Sequence, residues 1–185
     1  MQQLEPVVYL VSGPMAAGKT TVAQLLAARF ARGVHLEGDL FRRSIVSGGE
    51  EMTPEPTTEA LEQLRLRYRL AAQAADTYFD AGFSVVVEDV VAGPLLGEYR
   101  TAIRSRPCYV VVLLPSREVV AERDAGRQHT GYTAWRVEQL YDAFENETVR
   151  VGVWLDTTTL TPEETVDAIL DQTWSPDRRG PEEGT

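Results

Sequence analysis

Five short apolar runs, each followed by a stretch with helical spacing, restrict this chain more than any other feature. They are Val7 to Ser12 (VVYLVS), 33–39 (GVHLEGD), 83–91 (FSVVVEDVV), 108–115 (CYVVVLLP) and 151–156 (VGVWLD). Near-continuous apolar character marks strands buried on both faces, the habit of a parallel sheet. Parallel strands need crossover connections, and the segments between these runs read as helices. Residues 20–32 carry Val22, Leu25, Leu26 and Phe30 at helical spacing, and Leu61, Leu64, Tyr68, Ala71, Ala75 and Tyr78 form the stripe of a long helix. Thr57 or Thr58 caps that helix and Gly82 ends it. Pro94 opens a short helix, Ser116 caps another that runs to Arg127, and QHTGY (128–132) interrupts before helical spacing resumes from Tyr132 to Glu147. TPEETVDAILDQTW (161–174) reads as a terminal helix, with glutamates at its positive end. The pattern predicts one α/β domain over residues 1–174, its sheet covered on both faces. Residues 175–185 have no apolar side chain to bury and are expected to be disordered.

Charge and composition remove several classes of function. A net charge of −10 over 185 residues argues against nucleic-acid or membrane-surface partners. No apolar run reaches membrane-spanning length, and the MQQLEPVVYLVSG start does not resemble a signal peptide. A single cysteine, Cys108, excludes an internal disulfide and fits a cytoplasmic location. His35 and His129 are too few for a zinc site, and the tryptophans at 135, 154 and 174 read as packing residues.

The first apolar run leads directly into GPMAAGKTT, residues 13–21, which contains the only lysine of the chain. G-x-x-x-x-G-K-[ST] between a strand and a helix is the phosphate-binding loop pattern. Gly13, Pro14, Met15, Ala16, Ala17, Gly18, Lys19, Thr20 and Thr21 are therefore expected to hold a nucleoside triphosphate, ATP or GTP. The glycines let successive backbone N–H groups face an anion at the helix N-terminus. Lys19 suits the outer phosphates, and the Thr20 hydroxyl suits Mg2+. A guanine-reading N-K-x-D element is impossible, because Asn146 is the only asparagine and Lys19 the only lysine. Compact size further favours a small-molecule kinase over a motor or pump.

Asp39 ends the second run, at the strand end where open α/β sheets bind ligands. It can orient and deprotonate a hydroxyl, hold Mg2+ through water, or cap the next helix. Glu88 and Asp89 end the third run, and alternation sends them to opposite faces. Asp89 is favoured for the metal or the acceptor, with Glu88 as the second candidate. Arg123 and Arg127 lie one helical turn apart on a shared face, with Gly126 and Gly131 as hinges.

With these motifs in order, the chain resembles P-loop small-molecule kinases related to adenylate, gluconate, shikimate and adenylylsulfate kinases. It resembles chloramphenicol phosphotransferase most, through the P-loop, EGDLFR, VVVEDVV and VWLDTTTLTPEETVDAI, over residues 7–172. The resemblance implies a three-layer α/β/α sandwich with strand order 2-3-1-4-5 and a helical lid at about residues 123–132. It implies Asp39 as general base, Arg123 and Arg127 as lid arginines on the transferring phosphoryl group, and Thr157 at the nucleotide base. The expected activity is Mg2+-dependent transfer from ATP or GTP to a hydroxyl of a small natural product, with antibiotic resistance as its setting. Phe41, Arg42 and Tyr68 would shape the acceptor pocket. A metabolic nucleoside, nucleotide or sugar kinase and a non-catalytic nucleotide-binding regulator are the alternatives; oligomeric state is left open.

Overall fold

Every buried strand needs a layer on each side, and the chain supplies both. A computed structural model describes residues 5–126 and 137–173. In chain order the elements are β1 (Val8–Ser12), α1 (Lys19–Ala28), β2 (Gly33–Glu37), α2 (Asp39–Arg43), α3 (Thr58–Asp80), β3 (Ser84–Glu88), α4 (Leu95–Ala102), β4 (Cys108–Leu113), α5 (Arg117–Ala125), α6 (Val137–Asp142), β5 (Val153–Leu155) and α7 (Pro162–Thr173). The five strands form one parallel sheet in the order β2-β3-β1-β4-β5, the arrangement the resemblance implied.

Alternation along the strands separates the core into two layers. Val8, Leu10, Val85, Val87, Val110 and Val112 pack against α3, α4 and α6. Tyr9, Val11, Val86, Val111 and Leu113 face the other way, onto α1 and α7. A third, small cluster of Ala16, Val120 and Tyr141 sets α5 and α6 against the glycine loop. None of the described helices is long and apolar enough to cross a membrane.

Local chemistry sets the helix ends. Thr57, not Thr58, caps α3 by accepting the Ala60 N–H at 3.0 Å. Ser116 accepts the Val119 N–H at the start of α5. On α3 the apolar stripe holds from Leu64 to Ala75, but Tyr78 is 42% exposed and rests edge-on to Phe83. Asp76 shares the buried face and accepts hydrogen bonds from the Ser105 N–H (2.8 Å) and hydroxyl (2.6 Å), tying α3 to the turn before β4. The helix expected up to Glu147 changes character at Ala143, where a π-helical turn continues α6 to Glu147 with Phe144 fully buried. Arg127, the rest of the lid through residue 132, and the tail at 175–185 lie outside the described residues.

Register brings the site together. Val11 of β1 and Glu37 of β2 both pair with Glu88 of β3, so the carboxyl ends of three neighbouring strands lie level. The glycine loop, Asp39 and the Glu88–Asp89 pair all leave the sheet from that edge.

Candidate active site

The loop from Gly13 to Gly18 has a backbone that side chains would obstruct. Gly13 has φ +148°, and a Cβ there would collide with the Leu113 carbonyl oxygen. Gly18 has φ +90°, and Ala16, with φ 60°, is the only non-glycine residue with positive φ among the described residues. Such conformations turn N–H groups to one side of a loop, the arrangement that holds an anion. Within the loop Ala16 and Ala17 are buried and Met15 packs against the core, whereas Thr21 is exposed on α1.

Lys19 is the first residue of α1 and only 8% exposed, and its Nζ donates to the Pro14 carbonyl at 2.9 Å. The ammonium thus lies across the loop that a polyphosphate would fill. Next to it, the Thr20 hydroxyl donates to Glu88 Oε1 at 2.8 Å. Burial pushes the Glu88 carboxyl up from its ordinary value, against the opposing effects of the Lys19 charge and the Thr20 hydrogen bond. His35 Nε2 lies 3.9 Å from the same oxygen, and its pKa is lowered by burial.

The acidic pair divides as alternation requires. Glu88, not Asp89, stands beside the Thr20 hydroxyl. Asp89 is turned to α3, where Arg67 grips it: Nε donates to Oδ2 at 2.9 Å and Nη2 to Oδ1. Of the two carboxylates considered for a metal or the acceptor, Glu88 is the one next to Thr20, and Asp89 is the one paired with Arg67. Both partners of the Arg67–Asp89 pair are almost wholly buried. Burial raises the Asp89 carboxyl, while the Arg67 charge opposes that rise. A guanidinium keeps its charge in any protein setting, so the ionised carboxylate is its counter-ion.

Asp39 begins α2, immediately after Gly38. Only glycine fits before it, because a Cβ on Gly38 would occupy the position of the Asp89 carboxylate. That close approach brings Asp39 into a cage of arginines. Arg42 donates to both of its oxygens, at 2.6 and 3.1 Å, while Arg67 Nη1 reaches Oδ1 at 3.4 Å and Arg43 Nε lies 3.7 Å from Oδ2. Burial opposes ionisation of Asp39, but the Arg42 hydrogen bonds and the surrounding charges prevail and lower its pKa below the usual range.

The remaining candidates are more dispersed. Phe41 is half-buried against the core and belongs to α2. Tyr68 is buried, stacks on Tyr99 with ring centres 4.4 Å apart, and donates its hydroxyl to the Val90 carbonyl. Arg123 is exposed at the end of α5. Thr157 is buried after β5, with a hydroxyl that has no hydrogen-bond partner among the described residues. Trp154 packs against the core, with Arg150 over its ring at 4.0 Å.

Arg67 is the site residue that sequence reading missed. Its signal was present: Leu64, Arg67 and Ala71 follow helical spacing on the buried stripe, and an arginine there needs an acidic partner from another element.

Comparison with known proteins bears on the family and the fold. The family described as an AAA domain matches residues 8–146. A search of curated proteins gives no significant match. Among solved structures, an unliganded sugar kinase from Janibacter sp. HTCC2649 superposes with a TM-score of 0.66 at 21% identity, covering 91% of this chain and 94% of its own. The APS kinase of Mycobacterium tuberculosis, in complex with AMPPNP and APS, gives 0.65 at 16% identity over 92% and 99%. The Deinococcus radiodurans tunicamycin resistance protein gives 0.62 at 17% identity over 91% and 95%. At such identities the likeness shows the fold, which is that of the P-loop kinases.

Proposed function

The chain belongs to the AAA domain family, and from that premise we propose that it is a nucleoside-triphosphate-dependent phosphotransferase acting on a hydroxyl of a small molecule. One observation carries the reading: a continuous polar chain joins the phosphate loop to Asp39. It runs from Thr20 to Glu88, along the backbone to Asp89, and through Arg67 to Asp39. A loop that only bound nucleotide would not need an ionised carboxylate held beside it by three arginines.

The residues present fit a nucleotide and Mg2+. The glycine loop leaves room for close backbone approach, and Lys19 can exchange the Pro14 carbonyl for phosphate oxygens. Thr20 and Glu88 would hold Mg2+, directly or through water; the described residues include no cluster of three or more metal-ligating side chains, so oxygens outside the protein would complete the shell. When bound, the nucleotide supplies the phosphoryl group and Mg2+ offsets its charge. Asp39 orients the acceptor hydroxyl and takes up its proton. Its depressed pKa keeps it ionised at neutral pH, and a loose phosphoryl-transfer transition state demands little basicity. Arg42 and Arg67 fix the carboxylate rotamer. Arg123, with Arg127 and the segment to residue 132, would close over the phosphates and exclude water.

Within this fold the reading is of a chloramphenicol phosphotransferase-like enzyme that disarms a hydroxylated natural product. Asp39→Asn tests it. Incubation with ATP or GTP, Mg2+ and a panel of hydroxylated antibiotics, sugars and nucleosides, followed by mass spectrometry, is expected to give a phosphate adduct with the wild type. Asp39→Asn should lose the adduct and retain nucleotide affinity, whereas Lys19→Ala should lose both. Tight nucleotide binding with no adduct from any acceptor would favour the regulator, and full turnover by Asp39→Asn would remove Asp39 from the base position.

A further inference from the structure

We propose that the acceptor is an uncharged molecule with a compact apolar body, seated in the cavity between α3, the 52–56 segment and the start of α4. The inference rests on the phosphotransferase reading and adds the chemistry of its second substrate. The cavity has a volume of about 330 Å3, at the lower end of the range for small-ligand sites. Met52, Leu61, Leu64, Tyr68, Leu95 and Leu140 form its walls.

Its charged groups stand against an anionic ligand. Arg65, Glu98 and Glu147 are the charged side chains among the described lining residues, a balance of one positive against two negative. Arg65 Nε is already engaged by Glu98 at 3.2 Å. The nearest arginines on the Asp39 side, Arg42 and Arg67, are committed to Asp39 and Asp89. A carboxylate, phosphate or sulfate entering here would lose hydration and meet an acidic rim, and the one cation among the described lining residues, Arg65, is already paired with Glu98. An apolar body loses nothing of that kind.

The cavity also adjoins the chemistry. Met52 and Leu64 border both it and the small recess beside Arg42 and Arg67. Tyr68 follows Arg67 on α3, and its hydroxyl holds the carbonyl of Val90, the residue after Asp89. A ligand with its body on Leu61 and Leu64 can therefore direct a hydroxyl along α3 toward Asp39.

A matched set of probes isolates the property: 3-phenyl-1,2-propanediol, its anionic counterpart 3-phenyllactate, and glycerol, which lacks the apolar body. Binding to the full chain is measured by saturation-transfer NMR and titration with a non-hydrolysable ATP analogue and Mg2+ present, and products are sought with ATP. The diol should bind at least tenfold tighter than either control. Leu61→Glu should weaken the diol at least tenfold while leaving nucleotide affinity unchanged, and Leu61→Ala, which adds no buried charge and tests the wall if the glutamate variant does not fold, should weaken it several-fold. Equal or tighter binding of phenyllactate or glycerol, no binding of the diol, or diol binding indifferent to both variants overturns the proposal. Adducts formed on phenyllactate in preference to the diol would defeat this inference and leave the phosphotransferase reading intact. Diol binding as expected with no phosphate adduct on any alcohol would defeat the phosphotransferase reading and leave the cavity a site for neutral apolar ligands.

Discussion

Arg67→Met is the most informative single perturbation, because it removes a charge from the interior while keeping most of the side-chain stem. In the wild type, Arg67 is 3% exposed and Asp89 1%, joined by two hydrogen bonds. Without the guanidinium, Asp89 keeps the Val90 N–H at 2.7 Å and the more distant charge of Lys19, but no ion-pair partner among the described residues. Breaking a buried pair from one side costs about 3–5 kcal/mol. For a domain of this size that corresponds to a melting temperature lower by roughly 6–20 °C, and to a urea midpoint lower by about 1–2 M. Asp89→Asn should cost less, since Arg67 still has Asp39 at 3.4 Å. Combining Arg67→Met with Asp89→Asn leaves no unpaired charge and should recover most of the loss, a strongly non-additive cycle. The sign of the pH dependence is also set. Burial without the guanidinium would hold the Asp89 carboxyl above its unfolded value, so the native state binds the extra proton and the variant loses stability as pH rises above the ordinary aspartate range. Urea unfolding of the four proteins at pH 5 and pH 7.5 measures all of this. An Arg67→Met variant within about 1 kcal/mol of wild type, or a double variant as unstable as the sum of the singles, would refute the claim that this pair is a single buried unit.

Three further outcomes follow from the same geometry. The Glu88 pKa is raised by burial, so wild-type stability should fall as pH climbs above the ordinary glutamate value of about 4.3, and Glu88→Gln should be the more stable protein at pH 7, with the difference closing below about pH 4; urea titration at several pH values checks this, and a wild type that gains on the variant with rising pH would contradict it. Gly13→Ala combines a φ of +148° with a collision against the Leu113 carbonyl, and should cost about 1–3 kcal/mol and abolish ATP binding in calorimetry, so unchanged affinity would show that close backbone approach is not required. Ser12 clamps the loop after β3 by donating its hydroxyl to the Val91 carbonyl at 3.1 Å and accepting the Val91 N–H at 3.0 Å, so Ser12→Ala should cost about 1–3 kcal/mol in denaturant unfolding, and a loss below half that would mean the loop finds other partners.

The layered fold and the phosphate loop were legible in the residues themselves, for a local reason. Five apolar runs, the cap at Thr57 and the glycines at 13 and 18 act through backbone geometry and burial within a few positions of the chain, and such short-range terms are written in order along it. The charge network was not legible. Asp39 was recognised at its strand end, yet its arginine cage depends on Gly38 letting β2 approach β3, and on a helix turn 28 residues downstream. Glu88 and Asp89 are adjacent letters of equal chemistry; only the placement of Thr20 on one side and Arg67 on the other distinguishes them. Which carboxylate faces the loop, and which arginine holds the other, are long-range electrostatic outcomes. They exist only once the sheet has brought three strand ends to one edge.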